Sequence, residues 1–271
     1  MMKRAFHTIE FLGNLEENKG IQPIFEKSQK CLSDQELPDF LPQFLEIVHR
    51  QPIVARFTKK SFTTPKLVIF DLDSTLVQSE FMIHIGMEED NPERRERLMQ
   101  LTREALNGEG VWVNNFTERV KLLKGMEVER LKKCYQELAL SEGARELVAM
   151  LKSHGVPTAI VSGAWIEYVR YIAECLQTEE HIGSVWKHTN GILTGEIEGE
   201  PIGPQAKARV MDELADKYGI IPDEIVVIAD GYNDLPMMAK AGCSFMIFTT
   251  QKPSPSLVPI MVSLEVDLMT T

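Results

Sequence analysis

The chain has 271 residues, 44% of them hydrophobic, which is enough for one good core with a smaller module beside it. Its formal net charge of −11 argues against nucleic acid as a partner, whose phosphates are held by clustered Lys and Arg, and against an anionic membrane surface. Four scattered cysteines, Cys31, Cys134, Cys175 and Cys243, form no CxxC pair and no zinc pattern, so the expected setting is a reducing cytoplasm.

At the N-terminus, Glu10 interrupts the apolar run too early for a signal sequence, and no later run is long enough to span a bilayer. Residues 1–64 read as an extension of unassigned role. Ser33 and Glu36 suggest a capping box, and Pro38 and Pro42 confine any helix to Gln43 to Arg50. Thr63-Thr64-Pro65 looks like a junction; whether the extension is a domain of its own or packs on the rest stays open. Leu67 to Phe70 is then the first of four short apolar runs, followed by Pro157 to Val161, Ile225 to Ile228 and Ser244 to Phe248. Each reads as a strand buried on both faces.

Between these strands lie helical patterns: Ser141 to His154 before Gly155, and Gln205 to Tyr218 before Gly219. Residues 79–138 hold amphipathic helices instead of strands, for example Pro92 to Leu106 and Phe116 to Leu123, and form a cap over the sheet's carboxyl edge. Asn190-Gly191 marks a hairpin turn. The expected architecture is α/β: a Rossmann-like, mostly parallel sheet with helices on both faces, made from residues 65–78 and 139–271, with the cap inserted after the first core strand.

The strongest chemical signal is LVIFDLDSTLV. Residues two apart in an extended chain point the same way, so Asp71 and Asp73 both project from the carboxyl edge, where open α/β sheets place their sites. Two such carboxylates repel unless a cation lies between them, and an all-oxygen set suits Mg²⁺, with Mn²⁺ an alternative. In VVIADGYNDLPMM, Asp230 is placed to complete the cation site and Asn233 to donate to a phosphate, although alone this segment also reads as turn chemistry. Ser162-Gly163 ends the Pro157 strand just before a helix, a natural anion site or simply an N-cap. Lys207, early in its helix, can neutralise a phosphate oxygen, although a lone helical lysine is usually solvated.

In that order DLDST, SG, Lys207 and ADGYND resemble the haloacid dehalogenase superfamily of phosphatases, over roughly residues 65 to 250. Within it the chain is most similar to phosphoserine phosphatases: Glu80 falls where those enzymes hold the substrate ammonium, Arg119 where they hold its carboxylate, and the LTGEIEGE hairpin also matches. The resemblance implies in-line attack by Asp71 on phosphorus and proton transfer by Asp73. It also implies Mg²⁺ on the carboxylates of Asp71 and Asp230 and the backbone carbonyl of Asp73, phosphoryl charge met by Ser162 and Lys207, and Asp234 orienting Lys207 or metal-bound water. Ser162, Gly163 and Asn233 join Glu80 and Arg119 as substrate contacts. The expected partner is a small phosphomonoester, with a homodimer left open.

Ala164, Trp165, Tyr232 and Trp112 depart from the usual family residues; the first three bear on pocket shape, although cap or core packing is the favoured reading of the aromatics. The main reading is therefore hydrolysis of O-phosphoserine, as in serine biosynthesis. The alternatives are hydrolysis or phosphotransfer on another small phosphomonoester carrying an amine or carboxylate, and a non-catalytic regulatory binding protein.

Overall fold

Leu67 to Phe70 is apolar at every position because the strand it forms is covered on both sides: all four side chains are fully buried. The computed structural model describes residues 6–12, 32–33, 53–106, 111–248 and 256–269. In chain order the strands are β1 (Phe6–Leu12), β2 (Leu32–Ser33), β3 (Ile53–Lys59), β4 (Leu67–Phe70), β5 (Thr158–Trp165), β6 (Glu180–Thr189), β7 (Ile192–Glu198), β8 (Ile225–Ala229) and β9 (Cys243–Phe248). They form one sheet in the order β2-β1-β3-β9-β8-β4-β5-β6-β7. Pairing is parallel from β9 through β8, β4 and β5 to β6, and antiparallel toward both edges.

The two faces of the sheet can be read off strand alternation. Val68, Phe70, Val226, Ile228 and Ile160 point into one apolar cluster, which also takes Leu147, Leu151, Tyr168, Val169, Ile172, Ile260 and Leu264. Leu67, Ile69, Ile225, Val227, Ala159 and Val161 point into the other, with Met211, Leu214, Ala215, Met237 and Met238. Each buried branched side chain contributes roughly 1.5–3 kcal/mol of transfer free energy, so the central strands carry much of the stability. The result is the α/β arrangement expected from the sequence, a largely parallel sheet flanked by helices.

The helices are α1 (Phe81–Glu88), α2 (Pro92–Leu106), α3 (Trp112–Leu122), α4 (Val128–Gln136), α5 (Ala144–Ser153), α6 (Ile166–Leu176), α7 (Pro204–Tyr218), α8 (Leu235–Lys240) and α9 (Val258–Met269). Among the described residues, no helix is long and apolar enough to cross a membrane. Helices α1 to α4 follow β4 and lie over its carboxyl end. The β6–β7 hairpin supports them: Gly125 N–H donates to Leu193 O at 2.9 Å, Leu193 N–H to Met126 O at 2.9 Å, and Val128 N–H to Gly191 O at 2.8 Å. The hairpin turns where expected, with φ of 51° at Asn190 and 78° at Gly191, the left-handed pair that a two-residue turn demands.

Two local expectations change. Strand β5 does not end at Val161 but runs to Trp165, with a register shift between those residues. The Ser162 hydroxyl accepts a hydrogen bond from Ala164 N–H at 3.1 Å, so the chain bulges there and the helix starts only at Ile166. Helix α3 starts four residues before Phe116, because Trp112 stacks on Phe116 at 4.8 Å. Ser33 pairs with Phe6 in the β1–β2 ladder, and Glu36 and Gln43 to Arg50 lie outside the described residues.

Strand β3 belongs to the stretch left unassigned, and it pairs antiparallel with β9 from Ile53↔Phe248 to Thr58↔Cys243. Its Arg56 side chain donates to both oxygens of Asp267 (3.0 and 2.9 Å) and to Ser263 Oγ at 2.8 Å, which fastens β3 to α9. Both partners of the ion pair are mostly buried. We expect Arg56→Ala to lose about 2 kcal/mol of unfolding free energy in urea titration; a loss below about 0.5 kcal/mol would show that this clamp contributes nothing.

Candidate active site

Parallel register assembles the site. Phe70 pairs with Ile228, and Asp71 N–H donates to Ile228 O at 2.9 Å, so Asp71 leaves β4 beside Ala229 and Asp230 at the end of β8. Beyond Asp71 the chain curls: the N–H groups of Thr75, Leu76 and Val77 all donate to Leu72 O. Ser74 takes a left-handed φ of 55° in this curl, and its hydroxyl donates to Glu80 Oε1 at 2.8 Å. A non-glycine residue there is strained by about 1 kcal/mol.

Lys207 enters from the first turns of α7 and is completely buried. Its ammonium donates to Asp71 Oδ1 and to Asp234 Oδ1, both at 2.7 Å. Burial works to lower the lysine pKa, but the charges of Asp234 and Asp71 outweigh it and hold it above its ordinary value. Asn233, with its amide turned to satisfy both neighbours, accepts from Lys207 at 3.1 Å and donates to Asp234 Oδ2 at 3.3 Å.

Carboxylate oxygens of Asp71, Asp230 and Asp234 lie within 4.8 Å of one another. Three carboxylates against one ammonium leave two negative charges, which match one divalent cation. The donors are hard oxygens, the set that Mg²⁺ accepts. Desolvation, then the charges of Glu80, Asp71 and Asp234, push Asp230 well above the usual carboxyl range, and burial beside Asp71 pushes Asp234 up to about 7. The cluster therefore fits a cation.

Asp73 has a different environment. Its Oδ1 accepts from Phe81 N–H at 3.1 Å and from the Tyr168 hydroxyl at 3.1 Å. Desolvation and the nearby Glu80 and Asp71 charges raise its pKa well above the ordinary value, which favours a protonated acid. Tyr168 is fully buried, and burial together with the Asp73 charge raises the phenol well above its ordinary range, so it keeps its proton and donates.

Arg119 projects from α3 toward this corner and is 6% exposed. Its Nε has no hydrogen-bond partner among the described residues. Desolvation lowers its pKa to about 10, against the opposing pull of Glu80 and Asp73. A buried guanidinium with an unused donor, close to a carboxylate, is suited to an anionic group carried by a ligand.

Trp112, seven residues earlier on α3, packs on the core loops. A Cβ at Gly163 would meet its Cζ2 at 2.8 Å, and one at Gly203 its Cε3 at 2.7 Å. Only glycine lets the indole sit on both loops, so the helical segment closes onto the elements that carry Ser162 and Lys207. Ser162 is buried beside Gly163. Trp165 is packed into the core: it is 1% exposed and stacks with Trp186 at 6.0 Å. Tyr232 is partly buried and packs against the cluster around Met211 and Met237. Tyr168 was not singled out in the sequence, because three residues after Trp165 on a helix it reads as one more core aromatic.

Comparison with known proteins places this geometry. Residues 68–239 match the family model for haloacid dehalogenase-like hydrolases. A phosphoserine phosphatase from Archaeoglobus fulgidus is 38% identical over 177 residues, covering 65% of this chain and 51% of that protein, so the match spans about half the relative's length. One from Methanocaldococcus jannaschii is 34% identical, covering 65% of this chain and 82% of that protein. A solved phosphoserine phosphatase with substrate bound superposes with a TM-score of 0.62 at 33% identity, covering 66% of this chain and 84% of that one. A probable phosphoserine phosphatase from Vibrio cholerae aligns over 99% of this chain and 90% of its own with a TM-score of 0.64; at 23% identity it shows the fold alone.

The carboxylate cluster predicts a linked pH and cation dependence. An unfolded Asp titrates near about pH 4, whereas Asp234 in the folded chain titrates at about 7. Between those values the folded state binds the extra proton, so the metal-free protein loses stability as pH rises through that window. We expect the melting temperature of chelator-treated protein to fall between pH 5 and pH 7. Adding Mg²⁺ at pH 7 should restore it, and Asp230→Asn should abolish that gain. A profile flat in pH and unmoved by Mg²⁺ would remove the cation site.

Proposed function

The chain belongs to the haloacid dehalogenase-like hydrolases, and from that premise we propose that it is a Mg²⁺-dependent phosphomonoester hydrolase using an aspartyl-phosphate on Asp71, with O-phosphoserine as its substrate. The observation that carries this reading is the juxtaposition of a lysine-paired carboxylate, Asp71, with a second carboxyl group, Asp73, held by neutral donors, beside the buried and partly unpartnered Arg119. The names of the similar proteins support the choice of substrate.

In the proposed reaction Asp71 attacks phosphorus in line and the ester P–O bond breaks, while Asp73 gives its proton to the departing serine oxygen. Water then attacks the acyl phosphate, Asp73 takes the water's proton, and phosphate leaves with Asp71 restored. Lys207, Ser162 and the backbone at Gly163 meet charge on the phosphoryl oxygens, the largest contribution in this chemistry. Asp71, Asp230 and the backbone carbonyl of Asp73 would hold Mg²⁺, which would supply further charge neutralisation when bound. Arg119 binds the substrate carboxylate and Glu80 its ammonium; Asn233 and Asp234 hold Lys207 in place.

A phosphate-release screen over phosphomonoesters, with Mg²⁺ and with chelator, tests the reading. Phosphoserine should rank first, and Asp71→Asn should release no phosphate while remaining folded by circular dichroism. Full activity in that variant would remove Asp71 as nucleophile. Arg119→Ala should raise KM for phosphoserine about 100-fold, the scale of a lost buried charge-assisted pair, but leave KM for phosphoethanolamine, which lacks a carboxylate, within about threefold. Equal effects on the two would disconnect Arg119 from substrate choice.

A further inference from the structure

Asp73 has to act twice, as acid toward the leaving oxygen and as base toward water, and it has two oxygens with which to do so. One of them is already fully engaged. Oδ1 takes hydrogen bonds from a backbone amide, Phe81 N–H, and from a side chain, the Tyr168 hydroxyl, each at 3.1 Å. We infer that Tyr168 is a positioning residue for both proton transfers: with Phe81 N–H it keeps Oδ1 as an acceptor and leaves Oδ2 as the oxygen that gives and takes the proton. This assignment rests on the phosphatase reading above.

The surroundings of Tyr168 fit a role in orientation. The residue sits on α6, directly behind β5, with no exposed surface. Its ring lies 4.5 Å from that of Phe81 and 5.7 Å from that of Tyr135, centroid to centroid. Phe81 is also the residue whose amide makes the other bond to Oδ1, so one aromatic contact fixes both donors relative to each other. Among the described residues, Asp73 is the hydroxyl's hydrogen-bond partner. Packing alone would be served equally well by phenylalanine, because a hydroxyl placed among aromatic rings costs free energy unless it is paired.

The bonds balance as follows. In the first step the Oδ2–H bond of Asp73 breaks and an O–H bond forms on the serine oxygen, as that oxygen's bond to phosphorus is replaced by the bond from Asp71. In the second, a water O–H bond breaks and Oδ2–H reforms, as the water oxygen's bond to phosphorus replaces that of Asp71. Oδ1 keeps its two donors throughout, so the carboxyl group does not rotate between steps.

The test is Tyr168→Phe in the full chain with Mg²⁺, read in the first and later turnovers. With phosphoserine, kcat should fall about tenfold, a fraction of what general acid–base catalysis supplies, and KM should stay within about twofold. With p-nitrophenyl phosphate, whose phenolate leaves without a proton, the first-turnover burst should keep its wild-type rate, and only the later, water-dependent turnovers should slow. In an Asp73→Asn background, adding Tyr168→Phe should reduce the residual rate no further. A burst slowed as much as kcat, an unchanged kcat, or a full additional loss in the double variant would each overturn the role. Wild-type protein inactive on both esters would overturn the phosphatase reading itself, and this role with it.

Discussion

The site depends on one buried ammonium. Lys207 has no exposed surface, yet it lies 2.7 Å from two carboxylates that come from different strands and loops. Taking such charges out of water costs several kcal/mol each, and pairing offsets this only when the geometry is good. The fold meets that condition by fixing all three partners on rigid elements. Asp71 is held by the parallel register of β4 and β8, Asp234 by the N–H bond it donates to Gly231 O, and Lys207 by the first turns of a long helix that buries Met211 and Leu214 against the sheet. Displacing any of these elements would leave an uncompensated charge inside the protein, so packing around the ammonium also specifies the site.

The helical segment applies the same constraint from above. Trp112 rests on Gly163 and Gly203, and those two glycines flank the loops that deliver Ser162 and Lys207. Arg119, on the same helix, is buried, and a low-dielectric setting strengthens its charge interactions. Because α3 carries Trp112, Phe116 and Arg119 on one stripe, the helix that seals the site also supplies its free cationic donor. Closure and ligand recognition are thus properties of a single rigid element.

Much of this was legible in the sequence, for physical reasons that differ by element. The runs at Leu67, Ile225 and Ser244 could be read because strands buried on both faces are nearly continuous apolar runs. Asn190-Gly191 could be read because few residues adopt a left-handed turn. DLDST and ADGYND stood out because acids at strand ends repel one another without a cation. Other features left weaker traces. Strand β3 contains Arg56 and Lys59, so it lacks the apolar run, and what holds it is an ion pair to Asp267 more than two hundred residues away. The bulge at Ser162 depends on a single side-chain hydrogen bond to Ala164, and SG in the sequence is equally compatible with a helix start. Trp165 departs from the usual family residue, and the structure packs it in the core against Trp186, in line with the favoured reading of the aromatics.

The division of labour proposed for Asp71 and Asp73 follows from their environments. Both are aspartates, two residues apart on one loop, and the sequence gives no reason for them to differ in chemistry. Asp71 faces an ammonium, which donates to its Oδ1 at 2.7 Å. Asp73 faces an amide N–H and a phenol, neutral donors that can hold one oxygen while the other carries a proton. Glu80 and Asp71 add negative charge close to Asp73, which favours keeping that proton. Environments that separate two like groups in this way assign nucleophile and acid without any difference in residue type. The curl after β4 separates them: it turns Asp73 away from Lys207 and toward the aromatic cluster of Phe81 and Tyr168.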